Sequence, residues 1–164
     1  MAYTAVPTSI AGDTLTAAWQ NTYIRDNLAW IAAAGISGWA AYTPTWTASG
    51  TAPAIGNGVY TASYCQLGKL VIARFKMTAG STSTFGTGIY YWALPVTAQA
   101  AILGGAAGVI LDSGTTFYTT SMVLNNTTTV KGHMHNNGTE VGQTNPMTWA
   151  TGDWINAFLV YEAA

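Results

Sequence analysis

Residues 42–95 read YTPTWTASGTAPAIGNGVYTASYCQLGKLVIARFKMTAGSTSTFGTGIYYWALP. Short runs of Val, Ile, Tyr, Trp and Thr alternate there with Gly, Ser, Thr and Asn clusters, the pattern of strands separated by turns. The runs at 39–47, 58–66, 69–77 and 87–94 are predicted strands, and the same pattern continues at 101–111, 115–124, 128–135 and 153–161. In the last run Trp154, Asn156, Phe158 and Val160 share one face, and Ile155, Ala157, Leu159 and Tyr161 share the other. Both faces are mostly apolar, which predicts a strand that is central or turned towards a neighbouring subunit. Eight short strands at this spacing predict a mainly β fold, an antiparallel β-sandwich or jelly-roll-like domain. Strand order does not follow from the sequence.

Before Gly38 the period is different. Residues up to Gly12 read as an extended arm, and Asp13 is placed to cap a helix over 14–34. Leu15, Trp19 and Tyr23, with Ile24, Leu28 and Ile31 beside them, form a broad apolar stripe of helical period, and Gly35 follows as a C-terminal stop. Two units are therefore expected: 1–38, an arm and amphipathic helix for anchoring or oligomerisation, and 39–164, the β-sandwich domain. The stripe must bury itself on the chain's own sheet or on sister helices. In the second case Ile24, Asn27 and Ile31 would form a seam with one polar residue to set register.

Composition restricts function. Charged residues make up 7 % of the 164, with five cations, six acids and a formal net charge of −1. Nucleic-acid binding draws its affinity from clustered basic residues, whereas Arg25, Lys69, Arg74, Lys76 and Lys131 are scattered along the chain. No basic amphipathic segment suggests a membrane surface, and no apolar run reaches spanning length. The N-terminal residues lack the pattern of a signal peptide, so synthesis in a host cytoplasm is expected. Seven Trp and nine Tyr exceed the expected needs of one small core and predict subunit contacts. The single cysteine, Cys65, excludes an internal disulfide and reads as a small apolar residue in a strand.

Catalytic patterns are weak. His133 and His135 are the two histidines available as a base, and no G-x-S-x-G elbow accompanies them. Of the acids, Asp13 reads as a cap, Asp26 neighbours Arg25, Glu162 is near the end, and Asp112, Glu140 and Asp153 flank turns, so a glycosidase pair is not indicated. GGAAG at 104–108 lacks the Lys-Ser/Thr of a phosphate loop. LGGAAGV at 103–109 reads either as a site of close approach or as a bulged strand or loop. Sequons at Asn125, Asn126 and Asn137 read as turn residues. His133 and His135, two apart on a strand, point to one side and could share a metal ion if three chains around an axis supplied six ligands. The alternative is two exposed histidines beside the HNNG turn at 135–138. No cofactor is otherwise expected, and the chain reads as a non-enzyme.

Two segments carry a family resemblance. Leu15, Thr16, Ala17, Ala18, Asn21, Arg25, Asp26 and Asn27 resemble the opening helix of tail and virion proteins of tailed bacteriophages. Pro44, Trp46, Gly56-Asn57-Gly58, Tyr64, Gly68-Lys69, the loop from Gly80 to Gly88 and Leu94-Pro95 resemble a β module of minor tail proteins, head fibres and capsid decoration proteins. Together they span more than half the chain; the part from about Thr97 carries no resemblance. The resemblance implies a virion structural protein, a homotrimer decorating the capsid or head surface and touching the major capsid protein or tail proteins. It also lends support to an axial metal at the paired histidines. The expected interface residues are Leu15, Trp19, Tyr23, Ile24, Leu28, Trp30 and Ile31. The alternative is a tail-tip or tail-fibre module binding host-surface glycan through exposed aromatics among Tyr90, Tyr91, Trp92, Trp149 and Trp154.

Overall fold

The alternation of LVIARFKMT is followed residue by residue in space. Val71, Ala73, Phe75 and Met77 are buried, while Leu70, Arg74 and Lys76 face outwards. The computed structural model describes the backbone of residues 4–7, 14, 16–35, 38–135 and 138–164, and the side chains of these except at 33–35 and 100–105. Two compact units divide the chain, Met1–Gly38 and Trp39–Ala164.

In the first unit, α1 (Ala17–Gln20) continues through a π-helical turn (Asn21–Arg25) into α2 (Asp26–Gly35). The observed N-cap is Thr16, not Asp13; its hydroxyl oxygen accepts from the Trp19 N–H at 3.1 Å. Asp13 and Leu15 lie outside the described residues.

The second unit is mainly β and antiparallel. Its strands are β1 (Ala40–Ala41), β2 (Trp46–Ala48), β3 (Val59–Leu67), β4 (Leu70–Thr78), β5 (Tyr90–Ala93), β6 (Ala98–Asp112), β7 (Thr116–Leu124), β8 (Thr129–Met134) and β9 (Trp154–Ala163). They form one sheet in the order β1-β3-β4-β9-β6-β7-β8-β5-β2. The predicted first strand, 39–47, is in fact two strands on opposite edges of that sheet. Buried Pro44, which has no N–H to donate, lies in the connection between them.

This connection requires the sheet to curl. Eight strand spacings of about 4.8 Å would separate β1 from β2 by about 38 Å in a flat sheet, yet the chain steps from Ala41 to Trp46 directly. Five residues reach at most about 18 Å. The same closure brings Phe75 of β4 and Trp92 of β5 to 5.8 Å between ring centroids. Folded on itself in this way, the sheet is sandwich-like and encloses its apolar face.

An aromatic cluster fills the enclosed space. Tyr90 meets Trp46 at 5.0 Å, Trp149 at 5.9 Å and Trp92 at 6.2 Å, each edge-on. Tyr42, Tyr60, Tyr64 and Tyr118 pack around the buried core. The core therefore absorbs much of the aromatic content that composition alone assigned to subunit contacts. Cys65 is half-buried and free.

Central β9 lies between β4 and β6 and buries Ile155, Ala157, Leu159 and Tyr161. The Gly-rich run falls inside β6, whose register to β9 shifts at 98–105, so it is a bulged strand. Gly108, within the run and past the register shift, admits close approach within the sheet: a Cβ there would stand 2.8 Å from Thr120 Cγ2. In the loops, Gly86 has φ +54°, and an added Cβ would meet the Thr51 carbonyl oxygen at 2.1 Å. That loop pairing, with Ala54 and Thr84 exchanging backbone hydrogen bonds, depends on glycine at 86. Asp153, buried at the base of the next turn, accepts from the Ser113 N–H at 2.8 Å and the Ala150 N–H at 2.7 Å, so it is a structural group.

Two core tyrosines differ in a way that predicts opposite mutational signs. The Tyr90 hydroxyl donates to the Phe85 carbonyl at 2.6 Å, whereas the buried Tyr42 hydroxyl has no hydrogen-bond partner among the described residues. Burial raises the pKa of both, with Tyr161 and Tyr60 adding to the rise at Tyr42. Tyr90→Phe is expected to cost about 1 kcal/mol, and Tyr42→Phe to be neutral or stabilising by up to about 1 kcal/mol. Urea midpoints at unchanged m-value measure both; equal losses would contradict the assignment.

Candidate functional site

Two surfaces and one pair of histidines bear on function, and each is built from strand or helix periodicity. On the helix, Ile24, Leu28 and Ile31 are spaced by four and three residues and lie on one stripe. They are 46 %, 60 % and 45 % exposed. Trp19 and Tyr23 are half-exposed and tilted against each other at 5.3 Å, and Trp30 is half-exposed. No residue of α1 or of the π turn is buried.

Asn27 is the one buried residue among the described side chains of the helix. Its amide donates to the carbonyls of Thr4 (2.8 Å) and Tyr23 (3.1 Å), and its oxygen accepts from the Thr4 N–H (3.0 Å). This corrects the expectation that Asn27 sits in an intermolecular seam: its hydrogen-bonding groups clamp the arm to the helix. The stripe is apolar without it. Arg25 and Asp26 pair with each other at 2.9 Å.

The second surface is the outer face of β3, β4 and β9. Antiparallel register sets Ser63, Arg74 and Phe158 in one row and Thr61, Lys76 and Asn156 in the next. An open depression of about 350 Å³ is lined by these residues other than Phe158, together with Phe75 between Arg74 and Lys76 in the strand. The Arg74 guanidinium stands 4.4 Å from the Trp39 ring centroid, and the Lys76 ammonium 4.6 Å from that of Trp154. Trp154 also meets Phe117 at 5.9 Å. Arg74 and Lys76 thus form a local cationic pair, which corrects the reading of the cations as scattered. The signal was present in the sequence: two cations at i and i+2 of one predicted strand share a face. The neighbours contributed by β3 and β9 depend on register, which the sequence does not give.

Of the aromatics proposed for glycan contact, Tyr90 and Trp92 are fully buried and Trp149 is nearly so. The Trp149 indole N–H donates to the Gly142 carbonyl at 2.9 Å. These three belong to the core and offer no face to a ligand: Tyr90 and Trp92 point inwards from β5, and Trp149 turns in from the segment before β9. Tyr91 and Trp154 remain half-exposed.

His133 lies at the outward side of β8, and His135 follows the strand, with its Nε2 2.6 Å from the Ser121 hydroxyl. Lys131, on the same side, pairs with Glu140 at 3.1 Å and holds that carboxyl below its ordinary range, chiefly through the hydrogen bond. Among the described residues no three His, Cys, Asp or Glu side chains gather into a metal-binding group. One chain therefore offers two imidazoles at most, beside an ammonium. No described helix is long and apolar enough to cross a membrane. No protein-family profile, curated protein or solved structure matches the chain.

Proposed function

We propose that this protein is a non-enzymatic structural subunit of a tailed-bacteriophage particle, a homotrimer that decorates the head surface. In this reading the helical unit joins subunits or anchors them to the shell, and the β unit faces solvent. The observation that carries the structural role is the exposed stripe Ile24, Leu28 and Ile31 on a helix that buries none of its described apolar side chains. Helices in proteins draw most of their stability from packing of an apolar face rather than from propensity, so the stripe needs a covering surface. The assignment to a phage particle and the trimeric number rest on the resemblance of residues 15–27 and 44–95 to virion proteins.

Electron microscopy of particles made with and without this chain tests the proposal. Density at the three-fold positions of the shell, lost when the chain is missing, is the expected result. Density lost from the tail tip instead would favour the second reading, a host-surface glycan module. Half-exposed Trp154 beside 64 % exposed Phe117 is what favours that reading in the fold.

A further inference from the structure

We infer that the depression on β3, β4 and β9 binds an acidic saccharide, with the anionic group of the sugar held between Arg74 and Lys76. The inference concerns a site apart from the helix stripe and does not depend on where on a particle the protein sits.

Charge pairing singles this place out. Three of the five cations have carboxylate partners: Arg25 with Asp26 at 2.9 Å, Lys69 with Glu162 at 3.8 Å and Lys131 with Glu140 at 3.1 Å. Arg74 and Lys76 have none within ion-pair distance among the described residues, and no carboxylate lines their depression. In a chain with so little charge, two adjacent unpaired cations are a local positive site.

Both cations are also held in place. Indole faces support the guanidinium and the ammonium, and the Arg74 Nε–H donates to the Ser63 hydroxyl at 3.0 Å. That leaves the terminal guanidinium N–H groups for a ligand, in the planar arrangement that suits a carboxylate or phosphate. Fixing the side chains beforehand lowers the entropy lost on binding.

The remaining lining selects a sugar. Ser63, Thr61 and Asn156 offer neutral donors and acceptors suited to hydroxyl groups, and Phe158 beside Arg74, 47 % exposed, offers an apolar face for ring C–H groups. A space of about 350 Å³ is at the small end of ligand pockets. Two cations are too few for a nucleic-acid backbone, which engages long rows of them.

The test is titration of the full chain, followed by amide chemical shifts, with glucose, glucuronic acid, glucose 6-phosphate, acetate and inorganic phosphate. The two acidic sugars are expected to bind about tenfold or more tightly than glucose, and more tightly than either simple anion. They should shift the amides of Thr61, Ser63, Arg74, Lys76 and Asn156 and weaken as salt is raised. Which acidic sugar binds better tells a carboxylate source from a phosphate source. Arg74→Gln and Lys76→Gln should each weaken binding about tenfold, with Lys76→Arg retaining it. The inference is overturned by equal binding of glucose and the acidic sugars, by simple anions binding as tightly, by an oligoglutamate peptide binding more tightly, or by no binding at all. If Arg74→Gln disturbs folding, the Lys76 pair decides alone.

Discussion

The variant carrying Ile24→Asp and Leu28→Asp is expected to sediment as a monomer at concentrations where the parent chain forms the proposed trimer. Each large aliphatic side chain moved from water to an interface contributes about 1.5–3 kcal/mol. The stripe of Ile24, Leu28 and Ile31 is about half exposed in the single chain, so three copies together supply on the order of 10 kcal/mol before the cost of association. Two aspartates per chain remove most of that term and bring like charges together in a desolvated seam. Helical ellipticity should fall with the association, because a helix draws most of its stability from the packing of its apolar face. Arg25→Ala is the control: its ion pair with Asp26 is exposed, and such pairs contribute about 0–1 kcal/mol. A parent that stays monomeric, or a variant that keeps the parent's mass, would defeat the proposed oligomer. If the mass were unchanged and only helicity fell, the stripe would instead be covered within its own chain.

In the β unit the largest expected loss follows Trp92→Ala, about 3–5 kcal/mol. Trp92 is fully buried and touches Phe75 across the fold and Tyr90 beside it. Removing the indole opens a cavity where the two layers meet, and the rigid strands around it cannot close it fully. Trp92→Phe should cost much less. It keeps a ring in the site and deletes an indole N–H that has no partner among the described residues, a group whose burial is itself unfavourable. Trp154→Ala, on the half-exposed outer face, should cost less than Trp92→Ala because part of that ring already contacts water. Guanidinium unfolding of the three variants gives the order directly. A loss under 1 kcal/mol for Trp92→Ala would mean that the two layers do not meet there.

Legibility in the sequence followed the range of the interactions. The strands at 58–66, 69–77, 115–124 and 128–135 were readable within a residue or two because alternation and turn residues are local properties. So was the helix, apart from its first turn, where Thr16 rather than Asp13 supplies the cap. Pro44 carried a local signal that the run 39–47 is interrupted, but the jump it marks, from one edge of the sheet to the other, depends on strand order.

Site residues divide in the same way. The apolar helical stripe could be read from spacing alone, but its exposure in the single chain could not. The aromatics could not be sorted: Tyr90 and Tyr91 are neighbours in sequence, yet one is at the centre of the core and the other is half-exposed. A strand's period of two says that adjacent residues part company, but only the closure of the sheet decides which side is dry.

The sequence by itself determined a nearly neutral, mainly β chain with one amphipathic helix, because composition and periodicity act over a few residues at a time. Only the tertiary structure decided that β1 and β2 close the sheet, that Trp92 and Trp149 are core, and that Ser63, Asn156 and Phe158 surround Arg74 and Lys76. These are consequences of register between residues 80 positions apart in the chain, such as Lys76 and Asn156. Such pairings gain stability only when the whole apolar face is buried at once, and no local segment encodes that choice.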